Sequence, residues 1–583
     1  MLAPPPLPAG GALPSRQREI RTAIVASWPR WVCALLAALP LAFLTLQVAA
    51  WVRNIPNWDE FDTVLDFLIA LDSGAGGGEI VNRLLAVTNE HRIVASRLIF
   101  AGAYFIFGGV NFAVLAVIGD LFLIGVFGLL LTSVRGGSAR LRLAAIFALV
   151  VFQLQHHESL FWSGASIDHF FVVFAATAAL VALAARARWS VPVASLGGVF
   201  ATFSLAHGLL VWPAGAALLI AARRWRDAAW WTLAAALAGL LFFTGFQVNA
   251  GHRLPGFAEL PRVIVYWLTI AGSSPALDDV TIAPWCGAAL ILAPLLLLRR
   301  TLPRERLGLA LIAWCLGAMA MIAWGRALLS SEWAPITSRY IVLSSVAWAL
   351  LVWLLVERLL AHFPRHRWLL APVLGLLAVF NLAANDAHAN AGRIFAQRTE
   401  TAVLAYHEHG TFAEAETVLY PDPARADALV RETEARRIFE LPDPDTLELT
   451  DLKPIVLHEA TEIDDAVYFI EEVEDTPALF RIRGWAFCPD ETIRAGGISI
   501  VFRSATGIFA FEALPQLRPD VADANERWDA IYSGFELSVP REKLPAGKFG
   551  VGVGFDLDDS PRYMMTSTTV VVREGTDPAF VQQ

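Results

Sequence analysis

Arg92-Ile93-Val94-Ala95-Ser96-Arg97-Leu98-Ile99-Phe100-Ala101-Gly102-Ala103-Tyr104-Phe105-Ile106-Phe107 is the stretch on which the fold turns. It is apolar enough to enter a bilayer, but a helix needs about 20 residues to cross a hydrocarbon core of roughly 30 Å. With Arg92 and Arg97 near its start, it reads as an amphipathic helix lying along a membrane surface. The choice matters because one extra crossing here would exchange the sides of every later loop.

Outward from this segment, apolar stretches recur at 31–51, 111–133, 142–156, 168–185, 190–206, 208–222, 228–247, 283–298, 307–324, 340–357 and 368–384. These eleven are expected to span. Arginines gather before the first (Arg16, Arg18, Arg21, Arg30), then at Arg135, Arg140 and Arg142, at Arg186 and Arg188, and at Arg223, Arg224 and Arg226. Two further groups follow, Arg299, Arg300, Arg304 and Arg306, then Arg358, Arg365 and Arg367. They occupy alternate loops. Positive loops stay cytoplasmic, so the N-terminus is expected inside and an odd number of crossings delivers the tail outside.

Composition agrees with a bilayer as solvent: 56% of the 583 residues are hydrophobic and the mean hydropathy is +0.53. The formal charge of −9 conceals two unlike parts. Residues 1–385 hold 27 arginines against 18 acids, whereas 386–583 hold 18 basic and 36 acidic residues. Such an acidic tail argues against nucleic acid or anionic lipid headgroups as its partner, since either would be repelled. Cys33, Cys286 and Cys315 lie in apolar runs and Cys488 stands alone, so no disulfide framework or metal-type spacing is present. The first apolar run lacks a small-residue cleavage site and is expected to be a retained helix.

Past Asn385 the hydropathy falls. Residues 386–455 read as a helical and loop connector, and from about 465 onward short alternating runs such as Ile498-Ser499-Ile500-Val501-Phe502 are separated by turn residues. The expected fold is therefore an α-helical polytopic membrane protein of about eleven transmembrane helices over 1–385, followed by a C-terminal extracytoplasmic all-β antiparallel sandwich over 456–583.

The external loops then collect nearly all the polar chemistry. The first, 52–110, holds Trp58-Asp59-Glu60-Phe61-Asp62 directly after a span, and later Asn89-Glu90-His91-Arg92 leading into the surface helix and Phe107-Gly108-Gly109. The second holds His156-His157-Glu158, with Asp168-His169 just beyond. Gly325-Arg326 and Ser338-Arg339-Tyr340 bracket another. Carboxylates at a membrane surface followed by an in-plane helix suit a substrate with one end in lipid.

This arrangement resembles the GT-C superfamily of membrane glycosyltransferases over most of residues 30–385. The resemblance implies an acidic residue after the first helix as catalytic base, hence Asp59 or Glu60, acting on a polyprenyl-phosphate-linked sugar donor and a cell-envelope glycan or lipid acceptor. Asn89-Glu90-His91-Arg92 stands where the lipid A arabinosyltransferase and protein mannosyltransferase branches carry a Pro-Pro pair, so neither branch's substrate follows. In the tail, Gly484-Trp485-Ala486, Arg518-Pro519-Asp520-Val521, Gly534-Phe535 and Leu544-Pro545-Ala546-Gly547 resemble small β domains that accompany bacterial glycosyltransferases. A core tryptophan with turn motifs is the plainer reading of the same residues.

Transfer from such a donor needs a base and a cation to hold the departing phosphate, for which arginine offers a bidentate fork. Arg92, Arg97, Arg326 and Arg339 are the external candidates, with Tyr340 beside the last. Glu90, His91, His156, His157, Glu158 and Asp168 are expected to bind substrate. His157 and Glu158 are weak metal candidates, and a divalent cation is the one cofactor the resemblance allows, although adjacent histidines on a helix project about 100° apart. Asp120, inside the second span, is expected to be protonated or paired. His207 reads as a satisfied bundle histidine. A transporter or flippase of a lipid-linked saccharide, or a non-catalytic scaffold with a glycan-binding sandwich, are the competing functions. The transporter or flippase would need polar or ionisable residues at mid-membrane depth and broken helices, with inverted repeats as a further mark.

Overall fold

The computed structural model describes residues 15–572 except 186, 247–254, 299–304, 329–336, 364–367, 416–418, 448–453, 458–459, 476–478, 490–496, 506 and 556–560. Arg186, Arg299, Arg300, Arg304, Arg365 and Arg367 of the arginine pattern lie outside the described residues.

In chain order the membrane-rich part comprises α1 (Ser15–Trp51), α2 (Phe67–Asp72), α3 (Gly77–Leu85), α4 (Val94–Phe107), α5 (Phe112–Ser133), α6 (Gly137–Val151), α7 (His157–Phe161) and α8 (Ser163–Ala184). It continues with α9 (Ser190–Thr202), α10 (Val211–Ala221), α11 (Trp225–Phe243), α12 (Leu260–Ala276), α13 (Ala283–Leu298), α14 (Arg306–Arg326), α15 (Ser338–His362) and α16 (Leu370–Ala387). All eleven apolar stretches form helices. Among the described residues six helices are long and apolar enough to cross a membrane, or seven if α6 and the bent segment after it are one span. The count falls below eleven because α9, the segment Ala206–Ala221 and the helix from Ala283 are short apolar helices, and because α11, though 19 residues long, opens on Trp225-Arg226-Asp227 and is not apolar enough. At 1.5 Å per residue, the 13 residues of α9 reach only about 20 Å. α4 is shorter than a crossing too, with 14 residues, and ends at Gly108, whose φ of 72° makes the left-handed cap that stops it.

Two expectations are corrected. The stretch 142–156 is not one continuous helix: it breaks after Val151 and bends by 52°. The freed backbone groups find side chains, as they must away from water. Asn381 Nδ2 donates to the carbonyls of Leu149 and Phe152 at 3.0 and 3.1 Å, and Asn385 Oδ1 accepts from the Leu154 amide at 3.0 Å. The stretch 248–282, read as a loop, contains α12. Thr269, Ser273 and Ser274 dilute its hydropathy, yet they are buried, and Ser344 and Ser345 of α15 hydrogen-bond into this face. α12 packs tightly on α13. A Cβ on Gly272 would come within 1.9 Å of the Ala283 carbonyl oxygen, and one on Gly287 within 1.9 Å of that of Leu268.

The two ends of the bundle differ. α15 carries Ser338 and Arg339 at its start and Glu357 and Arg358 near its end, roughly 28 Å away at 1.5 Å per residue. At the far end Arg142 pairs with Glu357 at 2.6 Å and Arg358 with Glu305 at 3.0 Å. The candidate site residues gather at the near end.

The connector, α17 (Ala391–His409) and α18 (Pro423–Ala435), is a cap rather than a passive linker. Phe61, Leu65, Leu68 and Phe100 of the first loop share one buried cluster with Val403, Leu429, Val430 and Phe439. Arg53 at the end of α1 pairs with Glu400, while Tyr420 and Arg425 engage Asp62.

The β region holds β1 (Ile455–Val456), β2 (Thr461–Glu462), β3 (Val467–Asp475), β4 (Leu479–Phe487), β5 (Ile498–Arg503), β6 (Ile508–Glu512), β7 (Leu514–Gln516), β8 (Gly534–Pro540), β9 (Gly547–Phe555) and β10 (Arg562–Val572), with a short helix α19 (Pro519–Ala524) before β8. They form a six-stranded sheet, β1-β6-β5-β9-β10-β2, and a four-stranded sheet, β3-β4-β8-β7. Phe480 of one sheet meets Phe502 of the other at 5.5 Å inside a shared core. Pairing is antiparallel except between β2 and β10, which run parallel.

Candidate functional site

The site begins with a turn. Trp58 adopts φ 49° and donates its amide to the Leu419 carbonyl of the cap at 2.6 Å. The turn sends the next two side chains in opposite directions. Glu60 points inward and is 1% exposed: its carboxyl accepts from the Asn57 amide at 2.7 Å, from the Gly164 amide at 2.6 Å and from the Ser163 hydroxyl. It thereby ties the first loop to the start of α8. Burial outweighs those three donors and pushes its pKa up to about 8.

Asp59 points outward to solvent. Its carboxylate accepts from Asn89 Nδ2 at 2.9 Å, and Arg339 and Arg326 lie within electrostatic reach. The surrounding protein partly desolvates it and holds its pKa above the ordinary carboxylate value, with both arginines opposing. Asp62 is engaged by the cap, and Asp66 pairs with Arg83 at 2.6 Å. Of the carboxylates clustered after α1, Asp59 alone keeps an open face with only a neutral side-chain partner.

Asn89 and Glu90 both have positive φ, 46° and 62°, and the Thr88–His91 bridge closes their hairpin turn. This geometry brings Asn89 to Asp59. His91 Nδ1 accepts from the Ala206 amide at 3.1 Å. Burial, reinforced by Arg326, lowers its pKa to about 4, so it is neutral with its proton on Nε2. Glu90 adjoins it, half-buried.

Arg92 and Arg97 are positioned differently from the expectation of substrate contact. Arg92 is buried and donates to the carbonyls of Phe242, at 2.8 Å, and of Leu85 and Thr244. Arg97 donates to the carbonyls of Leu84 and Ala86 and to Thr88 Oγ1, at 3.1, 2.8 and 3.0 Å. Both guanidinium groups clamp backbone ends that hydropathy could not mark. They hold the site's frame.

On the facing side Glu158 and α15 exchange hydrogen bonds. The Glu158 amide donates to Ser338 Oγ at 3.0 Å, and Glu158 Oε2 accepts from the Arg339 amide and guanidinium, both at 3.2 Å. Arg339 also covers Tyr340 at 5.3 Å and Trp162 at 6.0 Å. Arg326, the last residue of α14, has no hydrogen bond or ion pair among the described residues, yet it reaches Asp59 and His91 electrostatically. Asp168 accepts from Ser96 and interacts with Asp59. Tyr340 meets the His169 ring edge-on at 5.6 Å.

His156 and His157 fall outside this group. His156 is fully buried with Nε2 3.0 Å from the Val151 carbonyl oxygen, and His157 stacks on His388 at 5.6 Å. Glu158 turns to α15 instead of to His157. The donors do not converge on one ion, and among the described residues no group of three or more His, Cys, Asp or Glu side chains could hold a metal.

Sequence reading missed the roles of Ser96, Ser163 and Ser338, whose hydroxyls engage Asp168, Glu60 and the Glu158 amide. Each is small and polar at or near a helix start, a position that signals capping but names no partner. No family model, curated protein or solved structure matches this chain.

Proposed function

We propose that this chain is a membrane glycosyltransferase that moves a sugar from a polyprenyl-phosphate-linked donor to a cell-envelope glycan or lipid acceptor. The single observation that carries this reading is an open carboxylate, Asp59, within electrostatic reach of a guanidinium, Arg326, that has no ion pair among the described residues. In the reaction an acceptor hydroxyl attacks the anomeric carbon. Asp59 takes its proton, the new glycosidic C–O bond forms, and the anomeric C–O bond to phosphate breaks. Arg326 and Arg339 receive the phosphate charge as it grows. Leaving polyprenyl phosphate is a weak base, so the site needs a cation more than a general acid.

The exposed apolar residues Leu98, Phe105, Ile106 and Phe107 on α4 support an in-plane helix in the outer leaflet, beside a donor whose tail stays in lipid. This reading sets the N-terminus in the cytoplasm and the site, cap and β region on the outer face of a bacterial inner membrane. The burial of Glu60 against the start of α8 and the exposure of Asp59 support Asp59 as the base. Asp120, the carboxylate on which the flippase reading would draw, sits against Ser166 at 3.2 Å where α5 packs on α8.

Transfer of labelled sugar from polyprenyl-phosphate donors, measured in proteoliposomes, tests the assignment. Asp59→Asn and Arg326→Gln are each expected to lose about a hundredfold or more, the usual range for a general base, while Glu60→Gln stays within a few-fold of wild type. Undiminished transfer in Asp59→Asn and Arg326→Gln would overturn it.

A further inference from the structure

The bundle end opposite Asp59 carries a second feature. Between α9 and α11 lies a groove of about 940 Å³, lined by Arg188, Ser190, Arg224, Asp227, Trp230 and Leu237. Its position follows from α11, whose far end supplies the Phe242 carbonyl that Arg92 grips near the site. About 18 Å of helix separates Trp230 from that residue at 1.5 Å per residue.

The groove's charges are unevenly matched. Arg224 is committed: it pairs with Asp227 at 2.6 Å, donates to Ser190 Oγ at 2.9 Å and reaches the Leu183 carbonyl. Asp227 is thereby used up. Arg188 in the lining, and Arg223 and Arg226 beside it, are exposed and have no hydrogen-bond or ion-pair partner among the described residues. Arg188 thus remains uncompensated in the lining, and Arg223 and Arg226 flank the lining residues Ala222, Arg224 and Asp227 along the chain.

The surroundings say what kind of anion fits. Trp230 of the lining is 66% exposed, and Trp189 and Trp225, next in sequence to the lining residues Arg188 and Arg224, are 53% and 63% exposed; tryptophan is the residue type that sits at membrane interfaces. From there toward the site end the lining is apolar: Val191 and Pro192 on α9 face Leu233 and Leu237 on α11, and both leucines are exposed. A soluble phosphate would use the arginines and nothing else. An amphiphile uses all three layers: headgroup at the arginines, glycerol at the indoles, acyl chain along the leucines.

We infer that this groove is a binding site for an anionic phospholipid of the leaflet facing the arginine-rich end. The inference rests on the reading that the chain spans a membrane, but not on its being a transferase. The occupied groove would wedge α9 against α11.

Full-length, delipidated protein titrated with phosphatidylglycerol or phosphatidylcholine in mixed micelles, with bound lipid read by native mass spectrometry, tests it. Saturable binding of phosphatidylglycerol and at least tenfold weaker binding of phosphatidylcholine are expected. The combined Arg188→Gln, Arg223→Gln and Arg226→Gln variant removes only exposed, unpartnered groups and should weaken phosphatidylglycerol binding at least tenfold. Arg30→Gln with Arg135→Gln, outside the groove, should leave it within twofold. Equal loss per charge in both variants, equal binding of the two lipids, or no saturable binding would overturn the inference. Sugar transfer is a separate readout, so failure here leaves the Asp59 assignment standing or falling on its own test.

Discussion

Replacing Glu60 separates a buried scaffold from a catalytic group. Its carboxyl is the acceptor for two backbone amides, Asn57 at 2.7 Å and Gly164 at 2.6 Å, and for the Ser163 hydroxyl. Glu60→Ala orphans both amides in a site with no solvent, at about 1–3 kcal/mol each, while Ser163 can rotate to another acceptor. A loss of about 4 kcal/mol is expected, a fall in apparent Tm of roughly 8–16 °C at about 2–4 °C per kcal/mol. Glu60→Gln keeps the shape and one acceptor and should lose only about 1 kcal/mol.

Ionisation sharpens the contrast. Burial raises the pKa from 4.5 to about 8, so the folded state holds a proton that the unfolded chain releases across that window. Stability then falls as pH rises from about 5 to about 8, by about 1.4 kcal/mol per pH unit from this one group. Glu60→Gln has no proton to lose and should melt with a shallower dependence on pH. Thermal unfolding of purified protein in detergent, followed by intrinsic fluorescence at pH 5.5, 7 and 8.5, reads both effects. A Glu60→Ala variant that melts within 2 °C of wild type, or a Glu60→Gln variant with the wild-type pH slope, would refute the reasoning.

Other expectations concern different parts of the molecule. Gly272→Ala sets a methyl against the Ala283 carbonyl and should force α12 from α13, costing about 1–3 kcal/mol and lowering the monodisperse fraction in size-exclusion chromatography. Asn381→Leu strands the Leu149 and Phe152 carbonyls at the break after α6, and about 2–4 kcal/mol should be lost in the same melting assay. If Asp59 is the base, transfer should rise with pH through a midpoint above the ordinary value of 3.8, because only the ionised carboxylate takes a proton. A rate profile flat down to that value would contradict its role.

How far the sequence could be read varies by residue. The eleven apolar stretches were legible because a long run of aliphatic residues has few alternatives to a buried or lipid-facing helix. α12 was not, since Thr269, Ser273 and Ser274 look like loop residues until α15 supplies their partners. The co-location of Asp59, Glu158, Arg326 and Arg339 followed from alternating loop charge. The division of labour among them did not. Arg92 and Arg97 resembled free cations, and only the carbonyls of Leu84, Leu85 and Phe242 identify them as clamps.

By itself the sequence determined the environment of each segment: which stretches are apolar, which loops carry arginine, and where strands begin. Those follow from transfer free energies that add residue by residue along a chain. Only the tertiary structure decided that Glu60 faces inward and Asp59 outward, that His157 and Glu158 part company, and that the connector caps the first loop. Each depends on a partner far away in sequence, and a hydrogen bond or ion pair has no value until the fold brings its second half within reach.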